Sequence, residues 1–171
     1  MKSQQKVIWI TGASSGIGAA LAKIYSRRGE KLILSSRREL ALEKIKSECD
    51  QPENISILTL DLNDFDAADE TVKKAYEFFG SIDVIINNAG ISQRSLIVDT
   101  QFDVFKKLIE VDYLGTIALS RAILPYFIEQ GGGHFVVVSS VMGKYGSPFR
   151  SGYTAAKHAL HGFFAVLRLD H

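Results

Sequence analysis

Short, uniformly apolar runs separated by longer segments of helical period constrain this chain more than any other feature of its sequence. The runs Val7–Thr11, Lys31–Ser36, Ile55–Leu60, Ile82–Asn87 and His134–Ser139 set Val, Ile and Leu at successive positions, as strands buried on both faces do. Between them Ile17–Arg28, Glu39–Glu48 and Ala67–Phe79 read as helices, the first predicting a buried stripe of Ile17, Ala20, Leu21 and Ile24. Gly29 and Gly80 follow their helices as C-caps. From Phe102 to Glu129 two apolar patterns meet near Asp112–Gly115, which predicts two helices or one bent helix. A last helical segment runs from Ser151 to His171. Alternation of this kind implies right-handed crossovers and an α/β fold: a doubly wound parallel sheet between helical layers, three layers in all. No repeat, low-complexity tract or linker interrupts the pattern, so residues 1–171 read as a single domain.

Composition narrows the function classes. Among 171 residues, 20 Lys+Arg against 19 Asp+Glu leave a formal net charge of +1, which gives nucleic acid or an anionic membrane no electrostatic purchase. Cys49 has no partner for a disulfide, in keeping with a reducing, cytoplasmic setting. Met1–Gln5 lacks the apolar core of a secretory signal, and no apolar run is long enough to span a bilayer. His134, His158, His161 and His171 lack ligand spacing with Asp, Glu or Cys, so no metal site is expected. Neither a Gly-x-Ser-x-Gly elbow nor a Gly-Lys-Ser/Thr phosphate loop is present.

The loop after the first strand reads Thr11-Gly12-Ala13-Ser14-Ser15-Gly16-Ile17-Gly18. Its glycines allow a tight turn and close backbone approach, placing a pyrophosphate at the N-terminus of the following helix, where unpaired N–H groups favour an anion. Downstream, Asn87-Asn88-Ala89-Gly90 follows the fourth strand, Ser140 closes the fifth, and Tyr153-Thr154-Ala155-Ala156-Lys157 opens the last helix. Together these segments resemble the short-chain dehydrogenase/reductase family, over Val7 to about Leu169.

That resemblance implies a Rossmann-type fold with Gly12, Ser14, Ser15, Gly16, Ile17, Gly18, Asn88, Ala89 and Gly90 at the nucleotide. Where a preference for NAD would set an acid after the second strand, this chain has Ser36 followed by Arg37. A guanidinium forks onto a 2′-phosphate, so NADP(H) is expected over NAD(H), with Arg37 preferred to Arg38 as its ligand. Asp61-Leu62 matches a position that contacts adenine. Asp61 serves equally well as a cap for the turn before the next helix.

The resemblance also implies the chemistry. A free phenol ionises near pH 10. A nearby cation favours the phenolate, so Lys157 and the charge of an oxidised nicotinamide ring equip Tyr153 to act as general acid or base. Ser140 hydrogen-bonds the substrate oxygen, while strand alternation turns Ser139 the other way. Asp112 stands where the family carries Asn, whose main-chain carbonyl holds a water leading to the lysine. A carboxylate there alters the charge around Lys157.

The expected activity is hydride transfer between NADP(H) and a carbonyl or secondary alcohol. The rival reading is an NADP(H)-binding module without catalysis. Val141, Met142, Tyr145, Pro148 and Phe149 suggest an apolar pocket and a lipophilic substrate. The resemblance further implies a homodimer or homotetramer through the helices Tyr113–Glu129 and Ser151–Asp170. It also implies a chain lacking the family's C-terminal strands and substrate loop, with Phe135–Val138 left on a bare sheet edge.

Overall fold

A computed structural model describes residues 5–171. Its 5-stranded sheet is formed by β1 (Val7–Thr11), β2 (Lys31–Ser36), β3 (Ile55–Thr59), β4 (Val84–Asn87) and β5 (His134–Val137). The order is β3-β2-β1-β4-β5 and every pairing is parallel. This is the doubly wound arrangement, in which the chain reverses its direction of winding beside β1. The helices are α1 (Gly16–Arg27), α2 (Glu39–Ser47), α3 (Ala68–Phe79), α4 (Phe102–Ile109), α5 (Thr116–Glu129) and α6 (Ser151–Asp170). None of them is both long and apolar enough to cross a membrane among the described residues.

Strand alternation divides the core in two. Trp9, Ile33 and Ile85 point into the cluster that holds Val72 of α3 with Leu119 and Ile123 of α5. Ile8, Ile10, Leu32, Leu34 and Ile86 point into the opposite cluster with Ala19 and Ala22 of α1 and Leu42 of α2. Successive apolar side chains thus serve opposite faces, which is why the strands read as continuous runs and not as alternating ones.

Several local expectations are corrected. The buried face of α1 is Gly18, Ala19, Ala22 and Ser26, while Ile17 and Ile24 are 60% and 45% exposed. Small side chains let α1 lie close to the sheet beside the glycine loop; of the expected stripe Leu21 packs half-buried on the core, as Tyr25 does, while Ile17, Ala20 and Ile24 are turned outward. Strand β5 stops at Val137 instead of Ser139. The Val138 N–H still reaches Asn87 O at 2.9 Å, but the Ser139 N–H folds back onto Val137 O at 3.1 Å. Ser140 therefore caps a short 3₁₀ turn, Val141–Gly143, and does not close the strand.

Helices α4 and α5 join through a π-helical segment, Glu110–Gly115, with helical dihedrals at both junctions. They are one continuous helix. Gly115 lets it approach the loop after β3, since a Cβ there would lie 2.1 Å from Leu62 O. Gly29 and Gly80 end α1 and α3 at φ +82° and +77°, a conformation that costs glycine little.

Candidate active site

The carboxyl ends of β1, β2 and β4 open onto a cleft of about 430 Å³. At its centre the loop after β1 is stitched to the end of β4. Thr11 Oγ1 accepts the N–H groups of Asn88 (3.0 Å) and Ala89 (3.1 Å) and donates to Ile86 O (3.3 Å). The Asn88 amide donates to Thr11 O (3.0 Å) and Gly12 O (3.3 Å). A Cβ at Gly18 would lie 2.4 Å from Gly12 O, and one at Gly12 would meet Ala89 Cα at 2.8 Å. Only glycine lets the loop lie this close. Gly12 and Gly16 also take positive φ, +66° and +56°.

Ser15 stands at the N-cap of α1 with extended backbone and makes no side-chain cap. The first turn of α1 is thus a set of uncapped donors at the positive end of the helix dipole, lined up with Gly12, Ser15 and Ile17 along the cleft. A tight cradle with uncapped N–H groups fits the pyrophosphate of a dinucleotide.

Ser36, Arg37 and Arg38 line the same end. Ser36 Oγ accepts the Arg38 N–H (3.1 Å), and Arg38 Nη2 donates to Ser14 Oγ (3.0 Å) and Ser15 Oγ (3.4 Å). Arg38, exposed, bridges back over the glycine loop through these bonds. Arg37 lines the cleft without a hydrogen bond of that kind among the described residues. Asp61 Oδ1 accepts the Asn63 N–H (3.0 Å), so the carboxylate shapes its own turn while also lining the cleft. Leu62, 8% exposed, packs in the core with its carbonyl against Gly115 and also lines the cleft.

The far end holds Tyr153 and Lys157, one turn apart on α6. Lys157 is 4% exposed; its Nζ donates to Val138 O (3.3 Å) and lies 5.6 Å from the Tyr153 ring centroid. Behind it Asp112 is fully buried in the π-helical segment. Its Oδ1 accepts the Ile91 N–H (2.7 Å), and its Oδ2, which makes no hydrogen bond, sits 3.7 Å from Lys157 Nζ. Burial pushes this carboxyl above its ordinary range, opposed by the Ile91 N–H and Lys157. The Asp112 carbonyl accepts the Thr116 hydroxyl at 3.2 Å. The ammonium thus has a buried carboxylate partner that an asparagine would not provide.

Ser140 is not gathered into the cleft. Its hydroxyl accepts the Met142 N–H (3.2 Å) and points its proton toward Met142 Sδ (3.3 Å). Ser139, expected to face away, bonds His161 Nε2 of α6 at 3.0 Å and itself lines the cleft. Burial lowers the basicity of His161, with help from Lys144 and His158. Val141, Tyr145 and Phe149 are exposed to 71%, 72% and 45%, and none lines the cleft. Sequence reasoning also missed Thr11 and Gln93, whose roles depend on partners far along the chain. Thr11 opens the glycine-loop motif without its hydrogen-bonding role being readable from it, and Gln93 lies outside every such motif.

A doubly wound parallel sheet with a glycine-rich loop at its strand ends, and a Tyr–Lys pair on the helix beyond, defines a Rossmann-type α/β protein. Residues 6–171 match the short chain dehydrogenase family, and the chain belongs to it. It is 46% identical to human dehydrogenase/reductase SDR family member 7, over 96% of this chain and 50% of that protein. The chain therefore spans about half the length of that relative. An alcohol dehydrogenase from Thermococcus sibiricus complexed with 5-hydroxy-NADP superposes with a TM-score of 0.90 at 31% identity, covering 98% of this chain and 72% of that one. A short chain dehydrogenase/reductase from Burkholderia phymatum in complex with NAD gives 0.92 at 26% identity, covering 100% and 62%.

Proposed function

We propose that this chain forms the nucleotide-binding and proton-transferring part of an oxidoreductase that works between NADP(H) and a carbonyl compound or secondary alcohol. One observation carries the reading: a single cleft runs from the glycine loop and Arg37–Arg38 to Tyr153 and Lys157. A nicotinamide dinucleotide held along this cleft would supply the hydride chemistry. Tyr153 gives its phenolic proton to the carbonyl oxygen during reduction and takes it back during oxidation. Lys157, its Nζ 5.6 Å from the Tyr153 ring centroid, would hold the nicotinamide ribose beside the phenol. Ser140 donates to the substrate oxygen once its O–H leaves Met142 Sδ, a weak acceptor that a carbonyl oxygen outcompetes.

The preference for NADP(H) rests on this chain's own residues, because the similar structures include complexes of both kinds. Ser36 supplies no acid to repel a 2′-phosphate, and two guanidinium groups stand by the cleft, Arg38 held in place by Ser14 and Ser15. A lipophilic substrate suits the exposed Val141, Tyr145 and Phe149, and equal turnover of polar sugars would contradict it. Exposed Ile128 on α5 with Val166 and Leu169 on α6 suits a homodimer or homotetramer, and the unpaired Cys49 suits the cytoplasm.

The engaged Ser140 hydroxyl favours a second reading, a nucleotide-binding module without turnover. Tyr153→Phe separates the two. The enzyme reading expects carbonyl-dependent NADPH oxidation to fall about 10²–10⁴-fold while NADPH binding stays unchanged. Absence of turnover in the unaltered protein, or turnover indifferent to the substitution, selects the binding module.

A further inference from the structure

Helix α6 carries Tyr153 and Lys157, yet nothing local caps its N-terminus. Its N-cap is Arg150, which makes no side-chain cap and has no acceptor to offer. The first intrahelical bond of this turn runs from the Thr154 N–H to Arg150 O at 2.8 Å, leaving the N–H groups of Ser151, Gly152 and Tyr153 outside the ladder. Such donors are ordinarily met by a Ser, Thr, Asp or Asn side chain at the cap itself.

The acceptor here comes from the loop after Asn87-Asn88-Ala89-Gly90. Gln93, 7% exposed, accepts the Tyr153 N–H on Oε1 at 3.1 Å and donates from Nε2 to Ser151 Oγ at 3.2 Å. A backbone N–H can only donate, so the amide oxygen must face Tyr153, and the orientation of the side chain follows. Gly152 makes the contact possible. A Cβ there would lie 3.2 Å from Gln93 Oε1 and under 3 Å from Leu108 Cδ1 and Phe105 Cδ1 of α4.

The two loops are joined on either side of this contact. Arg150 donates to Ser92 Oγ, and the Ser95 N–H bonds Phe149 O at 3.1 Å. Phe149 holds φ +66°, the one non-glycine residue in the left-handed region among those described. This entry to α6 is held against its own backbone preference by bonds to the 92–95 loop.

We propose that Gln93 is a positioning residue for Tyr153: it caps α6 from a distant loop and thereby fixes where the phenol stands in the cleft. The proposal rests on the reading of Tyr153 as the proton donor. Gln93 touches the backbone of Tyr153, not the reacting atoms, and it couples the segment beside the nucleotide to the helix that carries the proton.

The test uses amide hydrogen exchange, read residue by residue, and steady-state kinetics on the full chain with Gln93→Leu and Gln93→Glu. In the unaltered protein the Tyr153 N–H is expected to exchange far more slowly than those of Ser151 and Gly152, a contrast that needs no variant. Leu, which offers no acceptor, removes this protection and lowers kcat by about tenfold or more, with KM for the nucleotide little changed. Glu keeps an acceptor at that position and restores both. Equal exchange of the three amides overturns the proposal, as does a Glu variant as impaired as the Leu variant. If Tyr153→Phe leaves turnover intact, the reading of Tyr153 fails, while the exchange data still decide whether Gln93 caps the helix.

Discussion

The two ends of the cleft are built differently. At the nucleotide end the backbone does the work: Gly12, Gly16 and Gly18 shape a loop whose donors are main-chain N–H groups, and Thr11 and Asn88 hold it to the neighbouring strand. At the Tyr153 end side chains converge from several segments. Lys157 reaches Val138 and Asp112, Tyr153 is held by Gln93, and Ser140 is turned onto Met142. A backbone cradle is preorganised as soon as the strand and helix form. A side-chain constellation is complete only when every contributing segment has docked, and it tolerates small displacements poorly.

The largest effect expected from this contrast is at Gly18. A side chain there collides with Gly12 O, which is backbone and cannot swing aside, so Gly18→Val is expected to abolish nucleotide binding and to cost about 1–3 kcal/mol of stability. Fluorescence titration with NADPH and a thermal melt check both. Retained binding would break the claim that the cradle depends on backbone approach.

Next come the arginines. Arg38→Ala is expected to weaken NADPH binding about tenfold or more, as loss of a charge-assisted bond does, with NADH binding unchanged. Arg37→Ala is expected to do less. If the order is reversed, the 2′-phosphate lies beyond the strand end as the sequence pattern implied, and the hold of Arg38 on Ser14 is merely structural.

The smallest effect belongs to Asp112. Burial raises its carboxyl above the ordinary value, so the folded chain holds a proton there more tightly than the unfolded chain does. The resulting contribution to stability is full below the ordinary carboxylate range and is lost as pH rises through the raised value. Asp112→Asn is neutral at every pH and should flatten this slope in melts recorded between pH 4 and 8. An unchanged slope would mean that Lys157 holds the carboxylate ionised throughout.

Much of the nucleotide end was legible because its signals are local. Glycine spacing after an apolar run reports a turn, and β1, β2 and α3 lie where periodicity put them. The inner face of α1 was legible only in part: Leu21 packs on the core, but Ile17 and Ile24 face outward and the fully buried positions are the small Gly18, Ala19, Ala22 and Ser26. Arg38 was concealed because its partners, Ser14 and Ser15, lie far from it along the chain. Ser140 is identified by spacing from Tyr153, yet its hydroxyl is committed by a turn that starts where β5 loses register with β4.

From the sequence alone came the alternation that dictates a parallel sheet, the glycine loop, and the identities of Tyr153 and Lys157. Such features depend on neighbours a few residues away, within one strand, turn or helix. Only the tertiary structure decided that Asp112 is buried against Lys157, that Arg38 closes over Ser14 and Ser15, and that Gln93 caps the helix of Tyr153. Each of those pairs distant residues, and whether a polar group meets its partner or stays unpaired is settled by which segments pack side by side.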